Sequence, residues 1–199
     1  MIGLLLLIPI VGAINGIGWM LASLDNLRRG DERLAPANLD HLGRGIRLFA
    51  VQLVYQIGLT AVALVIYVPG LVLAVHQGQG SANAALLALA IVLNLVGFSI
   101  IALGSLALTF ALPAIVLATD MGGVGAGLQV VSVVRRCRVN VISTLIAGLM
   151  LIAAGFVGTL GLILCGVGVL FTAAYAYAMQ AWIVRSFETG SNALPAAAA

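Results

Sequence analysis

The chain has 199 residues, of which 63% are apolar and only 8% charged, with a mean hydropathy of +1.21. Soluble domains carry about 25% charged residues, so a chain this poor in charge cannot cover a water-facing surface, and lipid must be its main solvent. The formal charge of +3 comes from nine arginines and no lysine; they bracket apolar runs rather than forming a stripe on one folded face, which excludes nucleic acid as a partner.

Residues 1–24 are apolar apart from Asn15 and Ser23, long enough for one membrane-spanning helix. No basic segment precedes the run and no small-residue cleavage site precedes the charges that follow, so it does not read as a signal peptide. Pro9 sits inside it, and Gly12-x-x-x-Gly16 has the spacing that lets two helix backbones approach closely.

Asp25 to Arg47 then holds nine of the fifteen charged residues. Arginines in short loops near helix ends mark the cytoplasmic side, and Arg28, Arg29, Arg33, Arg44 and Arg47 place this loop there. Anionic lipid headgroups are the partner such a loop suggests, although Asp25, Asp31, Glu32 and Asp40 compensate most of its charge. Pro36 and Asn38 break any helix, and Asp40 is placed to cap a new one running through Arg44 and Arg47.

The second span covers 46–75. Gln52 and Gln56 share one helix face with Tyr55 beside them, and with Asn94 they form a candidate polar lining. Pro69-Gly70 should bend or fray the outer end, and His76 in the connector HQGQGSAN reads as an interfacial residue. The stretch 84–119 exceeds one simple span. It is expected to be helical to about Thr109, to break before Pro113 and to slide into the inner interface. Asp120 ends it and is expected to pair with Arg135, Arg136 or Arg138 across MGGVGAG. That glycine-rich stretch is too weak to be a stable helix, and it lacks the lysine and hydroxyl of a phosphate loop. Residues 128–139 should form an interfacial helix.

Residues 139–184 carry no charge and provide two spans joined by an outer turn within 158–168. Ala154-x-x-x-Gly158 offers a second packing face, and Trp182 near Arg185 suits an aromatic belt at the inner interface. The tail 189–199 is low in complexity and is expected to be disordered. Cys137 and Cys165 make no metal or redox spacing; they fall on different levels of the membrane, so no disulfide is expected.

These elements define an all-α integral membrane protein with about five transmembrane helices and interfacial segments in its two cytoplasmic loops. A single domain covers 1–188. The protein is multi-pass, with the N-terminus outside, the C-terminus inside and every arginine on the cytoplasmic face. No Asp, Glu, Lys, Arg or His falls in the middle of a span, which argues against coupled transport and against intramembrane catalysis. His41 and Asp120 are the only titratable pair worth attention, and both lie at the inner surface. No catalytic residue, metal ligand or cofactor is predicted. The function expected is that of a non-enzymatic scaffold or accessory subunit in a homo-oligomer or larger membrane complex, with one of the two glycine faces turned outward. The alternative is a passive channel or carrier for a small or lipid-like solute, lined by Gln52, Gln56 and Asn94.

The chain also resembles the polytopic prokaryotic membrane proteins grouped as domain of unknown function 4013. The resemblance is carried by Ile8-Pro9-Ile10 followed by Gly18-Trp19, by Leu34-x-Pro36 with Gly45, and by Gly168-x-x-Phe171-Thr172-x-x-Tyr175. It spans nearly the whole chain and implies a helical protein of the prokaryotic cytoplasmic membrane, without naming catalytic residues. Two features depart from the pattern. Leucine and proline are normally adjacent in the loop, and members usually carry residues before the first helix, so Met1 reads as a late start.

Overall fold

In the computed structural model, which describes residues 9–36, 38–78, 83–163 and 167–192, every regular element is an α-helix, and no strand occurs among the described residues. The helices are α1 (Pro9–Arg28), α2 (Leu42–Gly78), α3 (Ala84–Gly127), α4 (Val130–Val139), α5 (Val141–Ile163) and α6 (Val167–Asn192). Three of them are long and apolar enough to cross a membrane, over Leu42–Gly78, Ala84–Gly127 and Val141–Gly161.

Neither internal proline interrupts its helix. α2 runs through Pro69, and α3 runs through Pro113, so the break expected before Pro113 does not occur there. The Pro113 side chain is fully buried beside the buried run Ala114 to Thr119, and packing of this kind lets an apolar helix tolerate a proline. The interruption comes instead at Gly123, whose φ of 74° and ψ of −171° leave the helical region. Only a residue without a Cβ adopts that conformation freely. α4 then occupies most of the expected interfacial stretch. The last two helices leave only 164–166 between them, inside the expected turn; those residues and Cys165 among them lie outside the described residues. α6 continues to Asn192, four residues into the stretch expected to be disordered; 193–199 lie outside the described residues.

The single domain read from the sequence divides into two compact units, one of 1–52 with 109–199 and the other Leu53–Leu108. In the second unit, α2 and α3 form an antiparallel pair with a seam of glycines. A Cβ on Gly70 would lie 2.8 Å from Leu93 Cβ, one on Gly97 3.0 Å from Tyr67 Cβ, and one on Gly104 would collide with Leu59. Ala63 and Ala90 complete the seam, each fully buried.

In the first unit, α5 and α6 are antiparallel. Thr172 Oγ1 donates to Gly158 O at 3.1 Å, a Cβ on Gly158 would meet Ala176 at 3.5 Å, and Gly190 lies by Ser143. α1 packs on α6 in parallel: Gly16 faces Tyr177 at one end and Arg28 meets Glu188 at the other. Gly12 and Ala154 are buried. The Gly12–Gly16 face is therefore covered within the chain; on the hairpin Ala154 is buried and Gly158 half-buried, while Gly155 has nothing within 4 Å of a Cβ position. A thin helix face attracts the nearest bulky side chain, and here that chain is supplied by α6.

Candidate functional site

The loop after α1 spans 29–41. It turns back along the helix it has just left, and three polar side chains of α1 receive it. Ala35 N donates to Ser23 Oγ at 3.2 Å, Trp19 Nε1 donates to Ala35 O at 2.7 Å, and Asn15 Nδ2 donates to Asn38 O at 3.1 Å. Positions 15, 19 and 23 are four apart, so one helix face presents all three. Irregular backbone in apolar surroundings is tolerated only when protein groups satisfy its amides and carbonyls, and this ladder does so. Trp19 and Ala35 form a small core against Ala22, Ala174, Tyr177 and Ala178.

Two glycines let the returning chain come close. A Cβ on Gly18 would strike the carbonyl of His41, and one on Gly45 would strike the carbonyl of Ile14. α2 therefore starts beside the middle of α1, running the opposite way. Asp40 receives Asn38 Nδ2 at 2.5 Å, and His41 Nε2 lies 3.1 Å from Pro36 O.

From this start Arg44 extends toward the end of α1 and enters a network of six charged groups. Asp120 is its centre, with a side chain only 7% exposed. Arg28 Nη1 donates to Asp120 Oδ2 at 2.7 Å, and Arg44 Nη2 donates to Asp120 Oδ1 at 2.6 Å. Arg44 also binds Asp25, at 3.3 Å through Nη2 and more closely through Nη1. Arg28 reaches Asp25 at 3.3 Å and grips Glu188 through Nε at 3.0 and 3.1 Å. Arg185 adds a bond to Glu188 at 3.0 Å. Three acids face three arginines, drawn from α1, α2, α3 and α6.

The protonation states follow from these contacts. Burial pushes the Asp25 carboxyl up, but the hydrogen bonds and charges of Arg44 and Arg28 outweigh it and hold the group below its ordinary range. For Arg44, bonding to Asp25 is the leading influence and raises its proton affinity despite burial. Burial lowers that of Arg28, and Glu188 and Asp120 more than restore it. All three stay charged at neutral pH. Their chemistry is that of a fastening; none is poised to exchange a proton.

The sequence-predicted residues fall differently from expectation. Asp120 pairs with Arg28 and Arg44 rather than with Arg135, Arg136 or Arg138, because the returning loop brings α1 and the start of α2 to the end of α3. His41 and Asp120 have separate partners. Gln52 is half-buried in the first unit, whereas Gln56 is exposed in the second, where Asn94 Nδ2 donates to Ala90 O of its own helix at 2.8 Å. Cys137 is free. Sequence reasoning missed the Asn15, Trp19 and Ser23 ladder, although its four-residue spacing was visible. It also missed Glu188 as the partner of Arg28, for which no local signal existed.

Fold and site together define an all-helical protein with membrane-length apolar helices, one of its units clasped at one end by compensated charge. The chain belongs to the family described as Protein of unknown function (DUF4013), whose model matches residues 1–192. The residues that carried the resemblance in the sequence coincide with the close contacts above: Gly18-Trp19 and Gly45 with the returning loop, Thr172 with the α5–α6 pair. No curated protein and no solved structure matches the chain. Among the described residues, no group of three or more His, Cys, Asp or Glu is placed to hold a metal ion.

Proposed function

We propose that the chain is a non-enzymatic scaffold or accessory subunit of the prokaryotic cytoplasmic membrane. It crosses the bilayer five times, through α1, α2, α3, α5 and α6, with the N-terminus outside and the C-terminus inside. The observation that carries this reading is the network: the acids and arginines gathered at the end of α1 bind one another and leave no free charge to move a proton or an ion. Transport chemistry needs groups free to exchange charge, and these acids and arginines are taken up by one another. Two further features support the topology. α1 and α6 are parallel, as the first and fifth members of an alternating series must be. The charged ends of α1, α2, α3 and α6 meet at one level.

A scaffold also needs outward surface, and the helices provide it. Val65, Phe98, Leu103, Ile142 and Phe156 are each more than half exposed. Gly58 and Gly155, both within apolar helices, have nothing within 4 Å of a Cβ position, so they are more open to a partner helix than Gly16 or Gly158. Lipid gives helices no hydrophobic reason to associate, and close packing of this kind supplies the affinity.

Two measurements test the proposal. In a background lacking Cys137 and Cys165, cysteines at Arg33 and Gln77 should react on opposite sides of intact cells with an impermeant reagent; reaction of both from outside refutes the topology. Purified protein should be larger than a monomer in mild detergent and in native membrane discs, and Gly58→Leu or Gly155→Leu should reduce that size without impairing insertion. A monomer under both conditions would end the scaffold reading and favour a channel or carrier within one bundle.

A further inference from the structure

We infer that α4 is a binding site for anionic phospholipid. The argument rests on where the chain keeps its net charge. Arg28, Arg29, Arg33, Arg44, Arg47 and Arg185 are matched in number by the six acids, so the whole formal charge of +3 resides on Arg135, Arg136 and Arg138. The exposed arginines Arg29, Arg33 and Arg47 have Asp31, Glu32 and Asp40 in the same charged stretch, Asp25 to Arg47, whereas α4 carries no acid of its own. Asp120, the acid nearest to these arginines in sequence, is taken by Arg28 and Arg44, and all three α4 arginines are exposed with no ion pair among the described residues.

α4 is also built to lie in an interface. Val133 is buried, and Thr144 Oγ1 donates to Cys137 O at 3.1 Å, which fixes the inner face of α4 on α5. The exposed side of α4 carries Val130, Val131, Val134 and Val139, which line one open groove together with Arg135 and Arg138. These valines are 42–73% exposed, a poor arrangement in water and a good one at the boundary of acyl chains and headgroups. Arginine stems cover apolar surface while their guanidinium groups reach outward, and a planar guanidinium binds phosphate in a fork. Only Asn140 separates α4 from α5, an apolar helix of membrane-spanning length, so α4 sits where a crossing helix would meet the headgroups. A nucleic acid would match the charge but would leave the valines in water, whereas an anionic lipid supplies both phosphate and acyl chain to one short helix.

This inference rests on the membrane reading above, and the test separates the two. The full chain is reconstituted in phosphatidylcholine discs containing a minority of phosphatidylglycerol. Lipid retained on extraction into mild detergent is then counted by mass spectrometry of the intact complex. One triple variant, Arg135→Gln with Arg136→Gln and Arg138→Gln, is compared with a second that removes the same charge from the loop, Arg29→Gln with Arg33→Gln and Arg47→Gln. A basic residue near an anionic surface contributes about fivefold in affinity, so the preference for phosphatidylglycerol should fall by up to about a hundredfold in the α4 variant and by a few-fold at most in the loop variant. If the α4 triple variant fails to fold, the three single variants should each lose about fivefold, and lysine replacements should retain the preference. Equal losses in the two triples, or none in either, overturn the proposal. So does displacement of the lipid by inorganic phosphate, or a preference for an acidic polypeptide over phosphatidylglycerol. Failure of the chain to insert into the discs at all would count against the membrane reading itself.

Discussion

The two units of this molecule hold their helices together by different means. All fifteen charged residues belong to the first unit and none to the second. The first unit is fastened by polar groups: a side-chain ladder from α1 to the returning loop, and an ion-pair network joining four helices. The second is a bare seam in which Gly70, Gly97 and Gly104 receive the side chains of the opposite helix, and among its described residues the only fully buried apolar ones are Ala63 and Ala90. Directional bonds specify one arrangement, whereas a glycine seam permits close approach and leaves the bulky residues outside. The first unit should therefore respond to loss of single polar atoms, and the second should not.

The largest effect should come from Asp120→Ala. Removing one member of a buried charged set costs about 3 to 5 kcal/mol, because its partners are left desolvated. Arg44 is 38% exposed and Arg28 23%, so water recovers part of this and about 2 to 4 kcal/mol is expected. The measurement is unfolding in mild detergent. Arg135→Gln should leave stability unchanged, and equal effects of the two would remove the network from its central place.

Glycine substitutions sharpen the contrast further. Gly18→Ala and Gly45→Ala would press a methyl group against main-chain carbonyls that cannot move aside, and each should cost about 2 to 3 kcal/mol. Gly104→Ala meets the end of the Leu59 side chain, which can rotate, and should cost about 1 kcal/mol or less. The same unfolding series ranks them. A Gly104 variant as damaging as Gly18→Ala would show that the second unit is as rigidly specified as the first.

Trp19→Phe keeps an aromatic ring but replaces the buried indole by a smaller phenyl and deletes the bond to Ala35 O, a loss of about 1 to 2 kcal/mol. The smallest effect is that of pH. Asp25 has a lowered proton affinity in the folded protein, so its contribution is complete above the ordinary carboxylate value and is lost as pH falls through the folded one. Stability of the wild type should decline below about pH 4, and Asp25→Asn should flatten that decline. An unchanged slope would show that Asp25 does not titrate with folding.

Much of the first level of structure was legible in the residues. Apolar runs gave the helices, and Pro36 and Asn38 gave the break before α2; the glycine-rich segment expected to be non-helical after Asp120 instead stays helical to Gly127, with one interruption at Gly123. Pro113 misled because a proline rule describes an isolated helix, whereas this ring is buried against neighbours. Asp120 misled because sequence proximity favoured Arg135, while the true partners Arg28 and Arg44 lie 92 and 76 residues away. Only the backward turn of the loop brings them near, and that turn depends on Gly18 and Gly45 admitting a second backbone. The glycines of the second unit carried a readable sign that went unread: Gly97 and Gly104 are seven apart and so share a helix face.

The returning loop has a consequence for the order of assembly. Its bonds to α1 span only 12, 16 and 23 residues, and both close glycine contacts fall within the first 45 positions. The network closes over 92 and 160 residues. Local closures are entropically easier and faster than distant ones, and synthesis delivers this segment first. The amino-terminal clasp can therefore close while Asp120 and Glu188 are still unmade, leaving Arg28 and Arg44 beside Asp25 until the later helices arrive. We predict that ribosome-stalled chains ending soon after α2 already cross-link between cysteines placed at Asn15 and Asn38. Cross-linking that first appears in full-length chains would reverse the order and make α6 the template on which the loop is laid.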